Sequence, residues 1–196
     1  MTSKDKILTA VSANQPPLKA LPGIGFSKKD DPDLVRKFID MLAAIGGKAI
    51  QIKSYNEIRA YIKSAVAVNG RVVSPLHELI GAVESVRDTT LLPHSFDNIE
   101  LAIFGAHFGV AENGAVWLAE EQMIHRVIPF ICQHLAVVID AGQIVPTMHE
   151  AYDRLQDLDY DFGSFIAGPS KTADIEQSLV IGAHGPRSMT VFLMES

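Results

Sequence analysis

Between Phe165 and Arg187 the chain sets Ser170, Lys171, Thr172, Asp174, Glu176, His184 and Arg187 among glycines and prolines. Cations and hydroxyls in that company suit an anion. Arg187 can grip two oxygens of a carboxylate or phosphate, Lys171 offers a point charge, and Ser170 and Thr172 add donors. His184 is a side-chain type that titrates near neutrality and suits proton transfer; a hydrogen-bonded structural histidine is the plainer alternative, as surface ion pairing is for Lys171 and Arg187. Asp174 and Glu176 offer acid/base chemistry or ligands for a hard cation. Two residues apart on a helix, however, their side chains diverge, so Asp174 is better suited to an internal cap or to holding Lys171 or Arg187.

These side chains need a scaffold. Phe165-Ile-Ala167 reads as a short buried strand stopped by Gly168-Pro-Ser170, since glycine admits unusual φ and proline donates no ladder hydrogen bond. Ser170 or Thr172 is then expected to cap a helix, so that strand, turn and helix N-terminus converge on an anion. Gly182-Ala-His-Gly-Pro-Arg187 forms a second turn, and the two turns are expected to wall one cleft, with Gly168 and Gly182 shaping the backbone. Upstream, Asn113-Gly114 between apolar runs signals a two-residue hairpin turn. Glu112 flanks that turn, where it serves either as mere turn chemistry or as a carboxylate facing the cleft.

The remaining chain supplies an α/β pattern. Asp31 and Pro32 are expected to open a helix carrying Leu34, Val35, Phe38, Met41, Leu42 and Ile45 on one face, ended by Gly46-Gly47. Residues 48–53 alternate as a strand, and Ser54 with Glu57 makes a capping box for a second helix. Strands are expected at 72–74, 100–104, 135–139 and 189–194, a weak helix or connector at 76–86, and a helix begun by Pro146. Residues 1–30 read as an irregular lead-in with one short helix near 6–11, and 31–196 as a single domain.

With 196 residues, 47% hydrophobic and 20% charged, the chain can bury a sizeable core. Seventeen basic against 23 acidic residues give a formal charge of -6 without a Lys/Arg cluster, which argues against nucleic acid. No apolar run suits a signal peptide or a membrane span, and the expected location is the cytoplasm. The lone Cys132 excludes an internal disulfide and, by itself, an iron–sulfur cluster, which normally takes several thiolates. The seven histidines show no His-x-x-x-His spacing, so no metal site is assigned.

Three segments together, Phe108-Gly-Val-Ala-Glu-Asn-Gly-Ala115, Ile166-Ala-Gly-Pro-Ser-Lys-Thr-Ala-Asp-Ile-Glu176 and Leu179-Val-Ile-Gly-Ala-His-Gly-Pro-Arg187, resemble the LUD domain family of lactate-utilisation protein C and YkgG-like proteins. The resemblance covers residue 100 onward. It implies an α/β fold of the NagB/RpiA/CoA-transferase-like type, with a mostly parallel central sheet flanked by helices. It also implies a part in oxidising lactate to pyruvate beside iron–sulfur partner proteins, with this chain binding a small carboxylate, phosphate or nucleotide-like ligand. The Glu-Asn-Gly around Glu112 looks like the segment bearing the nucleophilic glutamate of CoA-transferases. That likeness leaves two alternatives: a stand-alone acyl-transfer enzyme, with Glu112 as nucleophile or Asp174 and His184 in acid/base roles, and a ligand-sensing module without chemistry.

Overall fold

The computed structural model describes residues 2–20, 33–66, 69–84, 92–156, 158–173 and 179–195. Met1–Asp30 and Asp31–Ser196 are separate compact units. The first contains helix α1 (Ser3–Ala13), longer than the short helix expected at 6–11, with the Thr2 hydroxyl accepting from the Asp5 amide and the Asp5 carboxylate from the Thr2 amide.

The second unit opens with α2 (Leu34–Ala44), entered through Asp33; the Asp31-Pro32 start lies outside the described residues. Its end matches expectation. The Gly47 amide donates to the Leu42 carbonyl and the Gly46 amide to that of Ala43, the paired bonds with which glycine closes a helix. Strand β1 (Lys48–Ile52) leads to α3 (Tyr55–Ala65), where the Glu57 carboxylate accepts from the amides of Lys53 and Ser54. After β2 (Arg71–Val73), a 3-10 turn, His77–Leu79, stands where the weak helix or connector is expected, and a second, Pro93–Phe96, precedes the next strand. Then come β3 (Ile99–Gly105), β4 (Phe108–Val110), β5 (Ala115–Ala119), the one-turn α4 (Ile128–Ile131), β6 (His134–Asp140) and β7 (Ile144–Val145). Helix α5 (Met148–Leu155), β8 (Gly163–Ile166), β9 (Lys171–Ala173), β10 (Leu179–Ile181) and β11 (Ser188–Met194) complete the unit.

Five strands form an all-parallel sheet in the order β1-β11-β6-β3-β2, so the last strand of the chain lies inside the sheet, between β1 and β6. Such strands are covered on both faces and read as unbroken apolar runs. Along β6, Leu135, Val137 and Ile139 enter one core cluster, with Phe38 and Leu42 of α2, while Ala136 and Val138 enter another, with Ile58 and Ile62 of α3. The Tyr61 ring of α3 meets Phe192 of β11 edge-on at 5.2 Å. Cys132 is buried in the first of these clusters, and burial pushes its thiol up to about 12, which leaves it protonated at neutral pH.

A second, four-stranded sheet, β7-β4-β5-β8, carries the hairpin. The expected two-residue turn is a four-residue loop, because Val110 pairs with Ala115 and residues 111–114 lie between. The far edge of β4 explains the longer loop. Beyond the pairing of β4 with β7, the Ala111 amide bonds the Val145 carbonyl and the Glu112 amide that of Pro146, so the start of the turn is held by the 145–146 backbone rather than by β5, and the Gly114 amide closes it on the Val110 carbonyl. Trp117 is core, packed on Phe165. Pro146 precedes α5 rather than starting it, and the Thr147 hydroxyl caps the helix by accepting from the Glu150 amide.

The largest departure concerns the stretch after Gly168-Pro-Ser170. Residues 171–173 do not begin a helix. They form β9, antiparallel to β10, with Lys171 opposite Ile181 and Thr172 opposite Val180. The apolar, β-branched run at 179–181 offers a ladder partner that local capping signals do not reveal.

Candidate functional site

The two glycine turns meet. The Ser170 amide donates to the Pro186 carbonyl at 2.9 Å, and the Gly182 amide donates to the Ser170 carbonyl at 3.0 Å. This clasp, with the β9–β10 ladder above it, brings residues 166–170 against 184–186. Between them, and closed behind by Pro129 and Phe130 of α4, is a groove of about 250 Å³. Gly168, Ser170 and His184 line it, beside the apolar surfaces of Phe165 and Ile166.

Gly168 has φ +69, and a Cβ there would stand 2.9 Å from the Ile45 carbonyl oxygen and 3.0 Å from the Lys171 ammonium. Only glycine fits, and the same geometry brings the Lys171 ammonium against the Gly168 turn, where Nζ leans toward the Pro169 carbonyl at 3.4 Å; Lys171 is not part of the groove lining. Gly182 is pressed against the stem of Arg187: a Cβ there would lie 2.5 Å from Arg187 Cγ. The Arg187 side chain is exposed, and its amide donates to the Gln133 carbonyl. Thr172 is half-buried in β9 and is not part of the groove lining. Asp174 and Glu176 lie outside the described residues.

Glu112 is not part of the groove. Its carboxylate accepts from the Met148 amide at 2.7 Å, at the first turn of α5, where backbone N–H groups lack helical partners. Together with the Glu112 amide bonded to Pro146, it ties the hairpin loop to the start of the helix. Removing this contact in Glu112→Ala is expected to lower stability by about 1 kcal/mol. Denaturant titration of both proteins checks it, and an unchanged midpoint would contradict this structural role.

A family model described as "LUD domain" matches residues 35–194. The chain belongs to the LUD domain family. Among relatives of this LUD domain, the lactate utilization protein C of Bacillus pumilus (strain SAFR-032) is 33% identical over 111 residues, covering 50% of this chain and 46% of the relative. The protein of the same name from Anoxybacillus flavithermus (strain DSM 21510 / WK1) is 33% identical over 105 residues, covering 50% and 48%. The matched part is thus about half the length of these relatives. A crystal structure of a DUF162 family protein from Deinococcus radiodurans superimposes with a TM-score of 0.60 at 20% identity, over 83% of this chain and 97% of that one, which establishes a shared fold.

Within the LUD domain the structure therefore groups Gly168, Ser170 and His184 around one space, sets Lys171 against the Gly168 turn outside that lining, and separates Glu112 from them. Sequence reasoning missed the apolar wall contributed by Pro129 and Phe130. No local signal marks it, because α4 meets the second glycine turn from a distant part of the sequence, with the Phe130 carbonyl oxygen 3.5 Å from where a Cβ on Gly185 would stand. Among the described residues no helix is long and apolar enough to cross a membrane, and no group of three or more His, Cys, Asp or Glu could hold a metal ion.

Proposed function

We propose that this LUD domain is a component of an L-lactate oxidation system in the cytoplasm, acting beside iron–sulfur partner proteins and holding a small carboxylate or phosphate-bearing ligand in the groove between the two glycine turns. The observation that supports the reading is the clasp itself: Ser170 and His184 line one small space, and the Lys171 ammonium lies against the Gly168 turn beside it. A carboxylate entering there would meet a hydroxyl donor and a cation, while its short carbon chain lay on Phe165 and Ile166. The relatives named lactate utilization protein C give the ligand class its direction. The single, buried cysteine leaves electron-carrying clusters to partner chains.

Calorimetric titration with lactate, pyruvate and inorganic phosphate tests the binding. At least one should bind saturably, Lys171→Ala should weaken it about tenfold, as expected for loss of a charge-assisted contact, and Ser170→Ala and His184→Ala should weaken it several-fold. Arg187→Ala reports whether that exposed cation reaches the ligand. Titrations that do not saturate, or variants that bind like the parent, would remove the groove from consideration. Affinity purification tests the partner half, with cysteine-rich, cluster-bearing proteins as the expected companions. The stand-alone acyl-transfer reading fits less well, since it needs a Glu112 carboxylate that is here engaged by the Met148 amide.

A further inference from the structure

The face of the parallel sheet toward α3 is apolar through most of its depth, built from Ile103, Ala136, Val138 and Phe192 with Ile58 and Ile62. At the N-terminal edge of the strands it changes character. His134 is the first residue of β6 and Ser188 the first of β11, and the two are register partners. His134 Nδ1 and Ser188 Oγ are 2.7 Å apart. On the far side of the imidazole, Nε2 lies 3.7 Å from Oε1 of Glu100, on the neighbouring strand β3. A hydroxyl, an imidazole and a carboxylate thus stand in line, brought from three strands.

Beside this line is a pocket of about 150 Å³, walled by Ala65, Val66 and Leu101 and by Tyr61, whose hydroxyl is 3.3 Å from Thr190 Oγ1. It shares no lining residue with the groove between the glycine turns. The His134 and Glu100 side chains are 36% and 39% exposed, so reagents and leaving groups can reach the array from solvent. Were this edge only filler between α3 and the sheet, apolar side chains like those of the next layer would serve. Instead it holds a hydroxyl within hydrogen-bond reach of a base, with a carboxylate at ion-pair distance from the base's other ring nitrogen.

We infer that Ser188, His134 and Glu100 form a second, esterase-type site, with Ser188 as nucleophile toward short-chain acyl esters whose acyl group fits the small pocket against Ala65, Val66 and Leu101. With its proton on Nε2, facing Glu100, the imidazole accepts the Ser188 O–H proton at Nδ1. Ser188 Oγ bonds to the ester carbonyl carbon, and the bond to the leaving oxygen breaks as His134 returns the proton to it. Water then attacks the acyl–serine ester. One water proton passes through His134 to Ser188 Oγ, the hydroxyl completes the free acid, and the site is restored. Glu100 is a positioning residue, acting through the imidazole.

The test uses the full chain, a fluorophosphonate probe and p-nitrophenyl acetate. The probe should attach once per chain at Ser188, located by peptide mass spectrometry, and Ser188→Ala and His134→Ala should each reduce labelling and ester hydrolysis to background. Glu100→Ala should slow labelling about tenfold, and Glu100→Asp, which keeps the negative charge near Nε2, should restore part of the rate. Circular dichroism of each variant separates loss of the site from loss of the fold, and peptide mapping of the adduct on the parent protein identifies the labelled residue without any variant. A parent chain that takes up no probe, or a probe adduct that persists in Ser188→Ala, overturns the assignment.

Discussion

Gly168→Val is expected to cost the LUD domain about 4 kcal/mol and to lower its melting temperature by about 10 °C. Two penalties combine. At φ +69 a β-branched side chain is strained, and its Cβ would stand 2.9 Å from a backbone oxygen, that of Ile45, which cannot swing aside as a side chain can. Ile45 is the capping residue of α2, so relief would have to come from the helix end or from the 168–170 turn that forms the groove. Gly81 provides the comparison, since it has φ +84 and a Cβ there would meet nothing within 4 Å. Gly81→Val should show the conformational penalty alone, and thermal melts of the two variants should differ by the steric part. Equal melting temperatures would mean that the approach to Ile45 does not constrain the turn. The Gly168 variant should also lose ligand binding in the calorimetric titration, because the turn that carries Ser170 has moved.

Phe38→Ala should be comparably damaging, at about 3–5 kcal/mol by chemical denaturation. Phe38 is fully buried and joins α2 to the large core cluster. Its ring also lies over Gly109 of the hairpin, where a Cβ would come within 2.9 Å of Phe38 Cε2 and 3.0 Å of Ile139 Cδ1. One phenyl ring therefore packs against the second sheet as well as the parallel sheet. Gly109→Ala alone should cost about 1–3 kcal/mol through overpacking. In the double variant the missing ring leaves room for the new methyl, so the combined cost should be less than the sum of the separate values. Strict additivity would show that the ring and Gly109 are energetically independent.

The parallel sheet was the most legible part of the chain. Leu135-Ala-Val-Val-Ile139 is apolar at every position because each successive side chain enters a core cluster on one face or the other, so burial on both sides is written into a local run. The Gly46-Gly47 helix end and the glycine turns were legible for a similar reason, since the backbone conformation they need belongs to the residues themselves. At 171–173 local reasoning failed. Ser170-Lys-Thr-Ala carries the hydroxyls of a helix cap, but the ladder to Leu179–Ile181 satisfies its backbone groups as a strand. Propensity yields where a partner strand offers ladder hydrogen bonds, even though Val180 and Ile181 stay exposed.

From sequence alone came the α/β class, the family resemblance and the glycine-shaped turns. Tertiary structure decided which side chains share a space. It joined Ser170 to His184, turned Glu112 toward the first turn of α5, and set Ser188 beside His134 across 54 residues of sequence. The division has one physical cause. Backbone conformation and two-sided burial are set by each residue and its near neighbours, whereas the neighbours of a side chain on a parallel sheet are set by strand order and register, which exist only once distant segments have paired.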